Sequence, residues 1–262
     1  MIPAGQPPRR QATLRTISAL MLREMSTTYG RSALGYIWAI IEPAAGILLL
    51  TLVFSLMLRA PALGTSFPLF YASGFMPFMA YVDIGQKISV ALRFSKALMF
   101  YPGVTFIDAL TARFLMNGIT QIMVSGIVLG ATIWIAGVDL LLNPIALVHG
   151  FFMAFALAAG IGTLNCYLLS VYPVWERTWA VLTRPLFLIS GILFLPDDVP
   201  PPYREYMLLN PLVHVIGEVR KGIFTTYDAA YVSPLYVYSI ALVTLSIGLL
   251  LLRRYNRDIV NL

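Results

Sequence analysis

The sequence predicts an all-α polytopic membrane protein: six transmembrane helices, an amphipathic helix ahead of the first, and short re-entrant helices on the outer side. Only 11% of the 262 residues are charged, against about 25% in soluble domains, while 59% are hydrophobic. The scarce charges leave long apolar runs, and about 20 such residues at 1.5 Å each match a hydrocarbon layer of roughly 30 Å. Backbone groups in lipid must be satisfied within the segment, which selects helices; the strict apolar and polar alternation of a membrane β-barrel is absent. This composition excludes a disordered chain and argues against a soluble globular enzyme.

Six runs qualify. Residues 36–58 carry one charge, Glu42; 67–86 carry Asp83; 114–138 and 145–171 carry none; 178–196 carry Arg184; 229–252 carry none. With the amino terminus inside, 14 of the 18 Lys and Arg fall in segments facing the cytoplasm, leaving Arg59, Arg204, Arg220 and Lys221 outside. Positive charge marks the inner side, so both termini are expected there. The net charge of +6 is then a topology signal, and no nucleic-acid partner is expected. The first 13 residues hold Pro3, Pro7, Pro8, Arg9 and Arg10 without an apolar core, so no cleavable signal is expected and the first span serves for insertion. Cys166 is alone, which leaves no disulfide or cysteine metal site within one chain.

Three connecting segments are unusual. Leu14, Ile17, Met21, Met25 and Tyr29 recur every three or four residues, with Thr16, Arg23, Ser26 and Thr27 on the other face. Such a helix lies in the headgroup layer, docks a partner, or does both. Residues 93–113 mix Phe94, Leu98, Met99, Phe100, Tyr101, Val104, Phe106 and Ile107 with Arg93, Lys96 and Asp108, broken by Pro102-Gly103. A loop this apolar needs a partner or the bilayer surface to cover it. Residues 197–228 are proline-rich at the start and then apolar from Tyr206 to Ile216 around Asn210-Pro211. That run is too short and too broken to span, and reads as re-entrant or interfacial helices, which need protein or a cavity around them.

Single residues narrow the chemistry. Glu42-Pro43 sits inside the first span, where Pro43 frees a backbone carbonyl and Glu42 is read as a structural pairing or capping group. Gly126 and Gly130 give the third span a small-residue packing face, within or between chains. Gly30 to Gly35 has the glycine spacing of a phosphate-binding loop but lacks its lysine, so no ATP site is expected here. His149 and His214 form no metalloenzyme pattern. The aromatic residues Tyr71, Phe75, Phe78 and Tyr81, and the outer tyrosines including Tyr203, suit interfacial belts, and a minority suit stacking against sugar rings.

The set Arg23-Glu24, Tyr29-Gly30, Ser32, Leu34-Gly35, Trp38 and Glu42-Pro43, followed by Ser190-Gly191-Ile192, Pro196, Pro200, Asn210-Pro211-Leu212 and Glu218-Val219-Arg220, resembles type-2 ABC exporter permeases that move polysaccharides. The likeness covers nearly the whole chain and is strongest to capsular polysaccharide permeases, with O-antigen permeases as nearest relatives and teichoic-acid type export as a further alternative. It implies a homodimer with two copies of a separate ATPase that holds ATP and Mg, a lipid-linked polysaccharide substrate, periplasmic and outer-membrane export partners, and an inner-membrane location. It divides the chain into an amino-terminal interface helix (1–35), a transmembrane domain (36–252) and a cytoplasmic tail (253–262). Within the domain it implies an ATPase-coupling segment at about 93–108, with Phe94, Lys96, Met99, Phe100, Tyr101, Phe106 and Asp108 facing the ATPase. A gate of re-entrant helices is implied at about 197–224. Arg23, Arg31 and Arg93 at the inner mouth and Arg220 and Lys221 at the outer one would attract an acidic polymer, with Tyr29, Tyr71, Phe75, Phe78, Tyr81, Tyr203 and His214 along its path. Two rivals lack support: an ion-coupled transporter wants a second copy of the Glu42-Pro43 break, and a membrane transferase wants a histidine or carboxylate pair at one face.

Overall fold

The computed structural model describes residues 9–28, 34–99, 103–137 and 141–261. Among them there is no strand, and ten α-helices follow in order: α1 Arg9–Thr28, α2 Leu34–Met57, α3 Phe67–Ser89, α4 Ala91–Ser95, α5 Phe106–Ala136, α6 Pro144–Val171, α7 Trp175–Ile189, α8 Tyr203–Leu208, α9 Pro211–Ile223 and α10 Pro234–Asn261. Among the described residues, four stretches are long and apolar enough to cross a membrane: Ile37–Met57, Phe106–Ala136, Pro144–Val171 and Pro234–Tyr255. Of the other expected spans, α3 has the length but carries Asp83 and Lys87 in its last two turns. Helix α7 has 15 residues, about 22 Å at 1.5 Å each.

Boundaries moved for local reasons. The third span starts at Phe106 rather than residue 114, because Thr105 and Asp108 form a capping box: the Thr105 side chain accepts from the Asp108 N–H at 3.2 Å, and the Asp108 carboxylate accepts from the Thr105 N–H at 2.9 Å. Two orphan N–H groups are thereby satisfied. Its far end is Gly137, left-handed at φ 59°. At the fifth expected span, α7 stops at Ile189, ahead of Gly191 at φ 81°, instead of running to Pro196. The sixth starts at Pro234, where the rigid ring suits a first helical position, rather than at residue 229.

Helices α3 and α6 form the centre. Helix α3 packs on α2, α5, α6 and α9, and α6 packs on α3, α9 and α10. Close approach rests on glycines the sequence analysis did not single out. A Cβ on Gly160 of α6 would meet Thr244 Oγ1 of α10 at 2.5 Å, and one on Gly248 of α10 would meet the Leu164 backbone N at 2.7 Å. A Cβ on Gly126 or Gly130, by contrast, would meet nothing within 4 Å among the described residues, so neither is needed for close helix approach there. Helix α2 exposes Trp38, Leu48, Leu49, Leu52 and Leu56, and α7 has no buried residue. These two helices form the periphery.

Gly248→Ala should lower the thermal midpoint of the detergent-purified protein, since backbone atoms block the added methyl; overpacking costs roughly 1–3 kcal/mol. Gly126→Ala should leave it unchanged or raise it, the exchange being favourable in an open helix by about 1 kcal/mol. Equal midpoints for the two variants would contradict this packing.

Candidate functional site

Three polar constellations interrupt the apolar bundle. The first lies where α3 and α6 end and α5 and α7 begin. Glu24 of α1 and Arg113 of α5 pair at 3.5 Å with side chains only 4% and 6% exposed, and Asn117 Nδ2 donates to Glu24 Oε1 at 3.1 Å. Arg113 Nη1 also donates to the Lys87 carbonyl at 3.3 Å. A buried pair of this kind is costly to break, because removing one partner strands the other charge. The guanidiniums of Arg113 and Arg23 stand over the Phe94 ring at 3.9 and 5.3 Å. Next to Phe94, Arg93 Nη1 reaches Glu176 of α7 at 2.9 Å, and its Nη2 donates to the Leu169 carbonyl of α6.

The second is a cleft of about 420 Å³ between α2, α3 and α5, lined by Trp38, Glu42, Asp83, Lys87, Thr120 and Gln121 among others. Gln121 Nε2 donates to Asp83 Oδ2 at 2.5 Å. Glu42 stands exposed on α2 beside buried Pro43 and forms one wall. A carboxylate in an apolar span is tolerable when it faces a wet cleft.

The third is built around α9. Asn210 caps it, its side-chain oxygen accepting from the Leu212 N–H at 3.1 Å, and Pro211 takes the first position. The helix is buried on nearly all sides, and glycines let neighbours in: a Cβ on Gly222 would meet the Leu147 backbone N at 2.5 Å. Arg220 is 0% exposed. Its Nη1 donates to the Gly191 and Phe194 carbonyls at 2.7 and 3.4 Å, its Nη2 to the Ile192 carbonyl at 2.9 Å, and its Nε to Ser73 Oγ at 3.4 Å. The Phe70 ring centroid is 4.3 Å from Cζ. The five-donor fork thus satisfies the turn that ends α7, where carbonyls have no helical partner. Burial draws the Arg220 pKa down to about 10, opposed by Tyr231, Tyr227 and Tyr71. Burial likewise raises that of Tyr227, whose hydroxyl donates to Asp197 Oδ2 at 2.9 Å.

His214, also buried, is fixed as one tautomer. Its Nδ1 accepts from the Ser233 N–H at 3.1 Å, so Nε2 carries the proton toward the Leu208 carbonyl at 2.8 Å. His149 Nδ1 meets Glu218 Oε1 at 2.8 Å, joining α6 to α9.

The expected site residues therefore separate. Tyr71, Phe78 and Tyr81 are buried. Tyr71 lies among Phe54, Phe67 and Phe70, and Phe75 and Phe78 pack edge-on against Phe187 of α7. Tyr81 borders a smaller cleft of about 240 Å³ between α3, α6 and α7. Tyr203 is 68% exposed on α8, and Lys221 is half-buried. Arg220, expected at an open mouth, faces carbonyls instead. Phe94 points into the Arg23–Arg113 cluster. Asp108 serves as a helix cap and, with Phe106, belongs to α5; Lys96 and Met99 are half-buried beside α4. Tyr29, Arg31, Phe100 and Tyr101 lie outside the described residues. The carbonyl cluster at 191–194 escaped sequence reasoning, because backbone acceptors leave no residue-type signal; Gly191 was its one trace.

Arg220→Met should destabilise the protein by about 2 kcal/mol or more, since each stranded buried acceptor costs roughly 1–3 kcal/mol. Arg220→Lys should recover part of that, keeping charge without the fork. Thermal unfolding in detergent checks both, and wild-type midpoints would contradict the assignment.

Comparison with known proteins adds the lineage. Residues 15–224 match the family described as "ABC-2 type transporter". The chain is 34% identical over 239 residues to the polysialic acid transport protein KpsM of Escherichia coli, covering 91% of this chain and 92% of KpsM. It is 25% identical over 249 residues to the capsule polysaccharide export inner-membrane protein CtrC of Neisseria meningitidis serogroup B, and 24% identical over 253 residues to BexB of Haemophilus influenzae, which carries the same description. In both cases the match spans 94% of this chain and 92% of the relative. Such near full-length similarity, together with helices α1 to α9 lying almost wholly inside the matched region, makes this chain a member of the ABC-2 type transporter family of membrane proteins.

Proposed function

We propose that this chain is the permease subunit of an ATP-driven exporter that carries lipid-linked capsular polysaccharide across the bacterial inner membrane. The observation that carries the reading is the near full-length likeness to three membrane proteins named for polysialic acid transport or capsule polysaccharide export. ATP and Mg belong on a separate ATPase, two copies of which serve a homodimer of six-span subunits with both termini in the cytoplasm. In favour of six spans, α2, α3, α5, α6, α7 and α10 fall on the six apolar runs. In favour of a homodimer, α2 and α7 bury little within the subunit, and the Gly126–Gly130 face is open; lipid alone or a second copy covers such surfaces.

On this reading the amphipathic α1 is the interface helix, residues near α4 receive the ATPase stroke, and α8 and α9 form the re-entrant outer gate. A polymer moving through such a passage is held by many weak, exchangeable contacts rather than one tight site. Arg93 near the inner mouth, and Lys221 and Tyr203 near the outer one, supply such contacts. Arg220 keeps the gate segment folded around the end of α7. Periplasmic and outer-membrane proteins then take the polymer onward.

Deletion of the gene should abolish surface polysaccharide and leave polymer inside the cell; the intact gene should restore display. The tagged permease should bring down a separate ATPase, and a lysine substitution in that subunit's phosphate-binding loop should stop export. Export that continues without the ATPase, driven by an ion gradient, would overturn the reading.

A further inference from the structure

The resemblance implies that Phe94 faces the ATPase, yet its half-buried ring also lies against two arginines of the bundle. It sits in α4, a five-residue helix, under Arg113 of α5 at 3.9 Å and Arg23 of α1 at 5.3 Å. Arg113 is simultaneously tied to Glu24 of α1 and to the last turn of α3. Arg23 Nη1 is buried with no hydrogen-bond acceptor, and its guanidinium stands over the ring. Two guanidiniums side by side repel; the negative ring face and Glu24 hold them together. The neighbouring Arg93 extends the other way, to α7 and the end of α6. That second arm is weaker, its side chains being 43% and 64% exposed and hence screened by water.

We propose that Phe94 is a transmission residue inside the permease: its ring couples displacement of α4 to α1 and α5 by holding Arg23 and Arg113 together, and it does not contribute to ATPase docking. The inference rests on the exporter reading above and adds where the stroke enters the bundle. Helix α4 follows α3 through Val90 and packs against α5 and α6, with Ala91, Leu92 and Ser95 buried, so a push on it is carried into the bundle. Because Phe94 meets both arginines, a displacement of α4 reaches α1 and α5 together. The aromatic face is required; an aliphatic side chain fills the space and leaves the two cations repelling.

The test uses the full permease with its ATPase. Phe94→Leu should cut export by roughly tenfold, as loss of one to two cation–π contacts predicts, while co-purified ATPase stays at the wild-type level. Phe94→Tyr, which keeps the ring, should retain export. Arg23→Gln should lower export with ATPase retained, and it decides the matter should Phe94→Leu not accumulate: wild-type export from it overturns the proposal. Export at the wild-type level from Phe94→Leu also overturns it, as does loss of ATPase in step with loss of export. A wild-type permease that retains no ATPase overturns the exporter reading itself; retention by the wild type with normal export from Phe94→Leu overturns only this inference.

Discussion

One cation holds the α9 end of the bundle together. The chain from Ser190 to Leu195 leaves helical geometry while still packed among α3, α7 and α9, and the carbonyls of Gly191, Ile192 and Phe194 take no backbone donor there. Unsatisfied backbone is the dominant cost in a membrane protein. Arg220 removes it by reaching from α9 with donors to three carbonyls and to Ser73. That requirement explains several neighbours: Gly74, where a Cβ would lie 3.2 Å from Nη2; Phe70 under the guanidinium; and the full burial of α9 itself. Apolar side chains such as Leu212, Val215, Ile216, Val219 and Ile223 bury α9 in the bundle, but without the charge the turn after α7 would keep three carbonyls unpaired.

The opposite end solves a different problem. There six helices, α1 and α3 to α7, meet with terminal backbone groups and basic residues crowded together. A buried Glu24–Arg113–Asn117 cluster neutralises one charge, and an aromatic ring accommodates the next. Small numbers of polar side chains thus organise each end, while the middle is held by glycine-mediated approach of α6 to α10 and α9. The division suits a machine whose ends receive force or gate passage and whose centre stays rigid.

Much of this was legible in residue order. Apolar runs located the long helices, and Asn210-Pro211 was marked as a break because a cap and a fixed φ end one element and start another. The three odd connecting segments were visible because apolar side chains outside a span demand cover. Boundaries were less legible. Residues 106–113 do not advertise a membrane helix, since Asp108 and Arg113 interrupt the apolar run; the Thr105–Asp108 box shows that the helix begins there. The glycines that matter were also hidden, because a small-residue pattern on one helix says nothing about which face has a neighbour.

Composition and spacing by themselves determined that this chain belongs in lipid and how its helices are strung, because both follow from transfer of side chains and backbone out of water. The likeness in residue order determined its lineage. Only the tertiary structure decided what the rare charges do. Arg220 reads in sequence as a free cation at a mouth and proves to be a buried donor to carbonyls; Phe94 reads as surface and proves to be a support for two arginines. The reason is physical: a charge in a low-dielectric interior is defined by the partners that compensate it, and those partners lie 147 and 29 residues away for Arg220, beyond the reach of any local pattern.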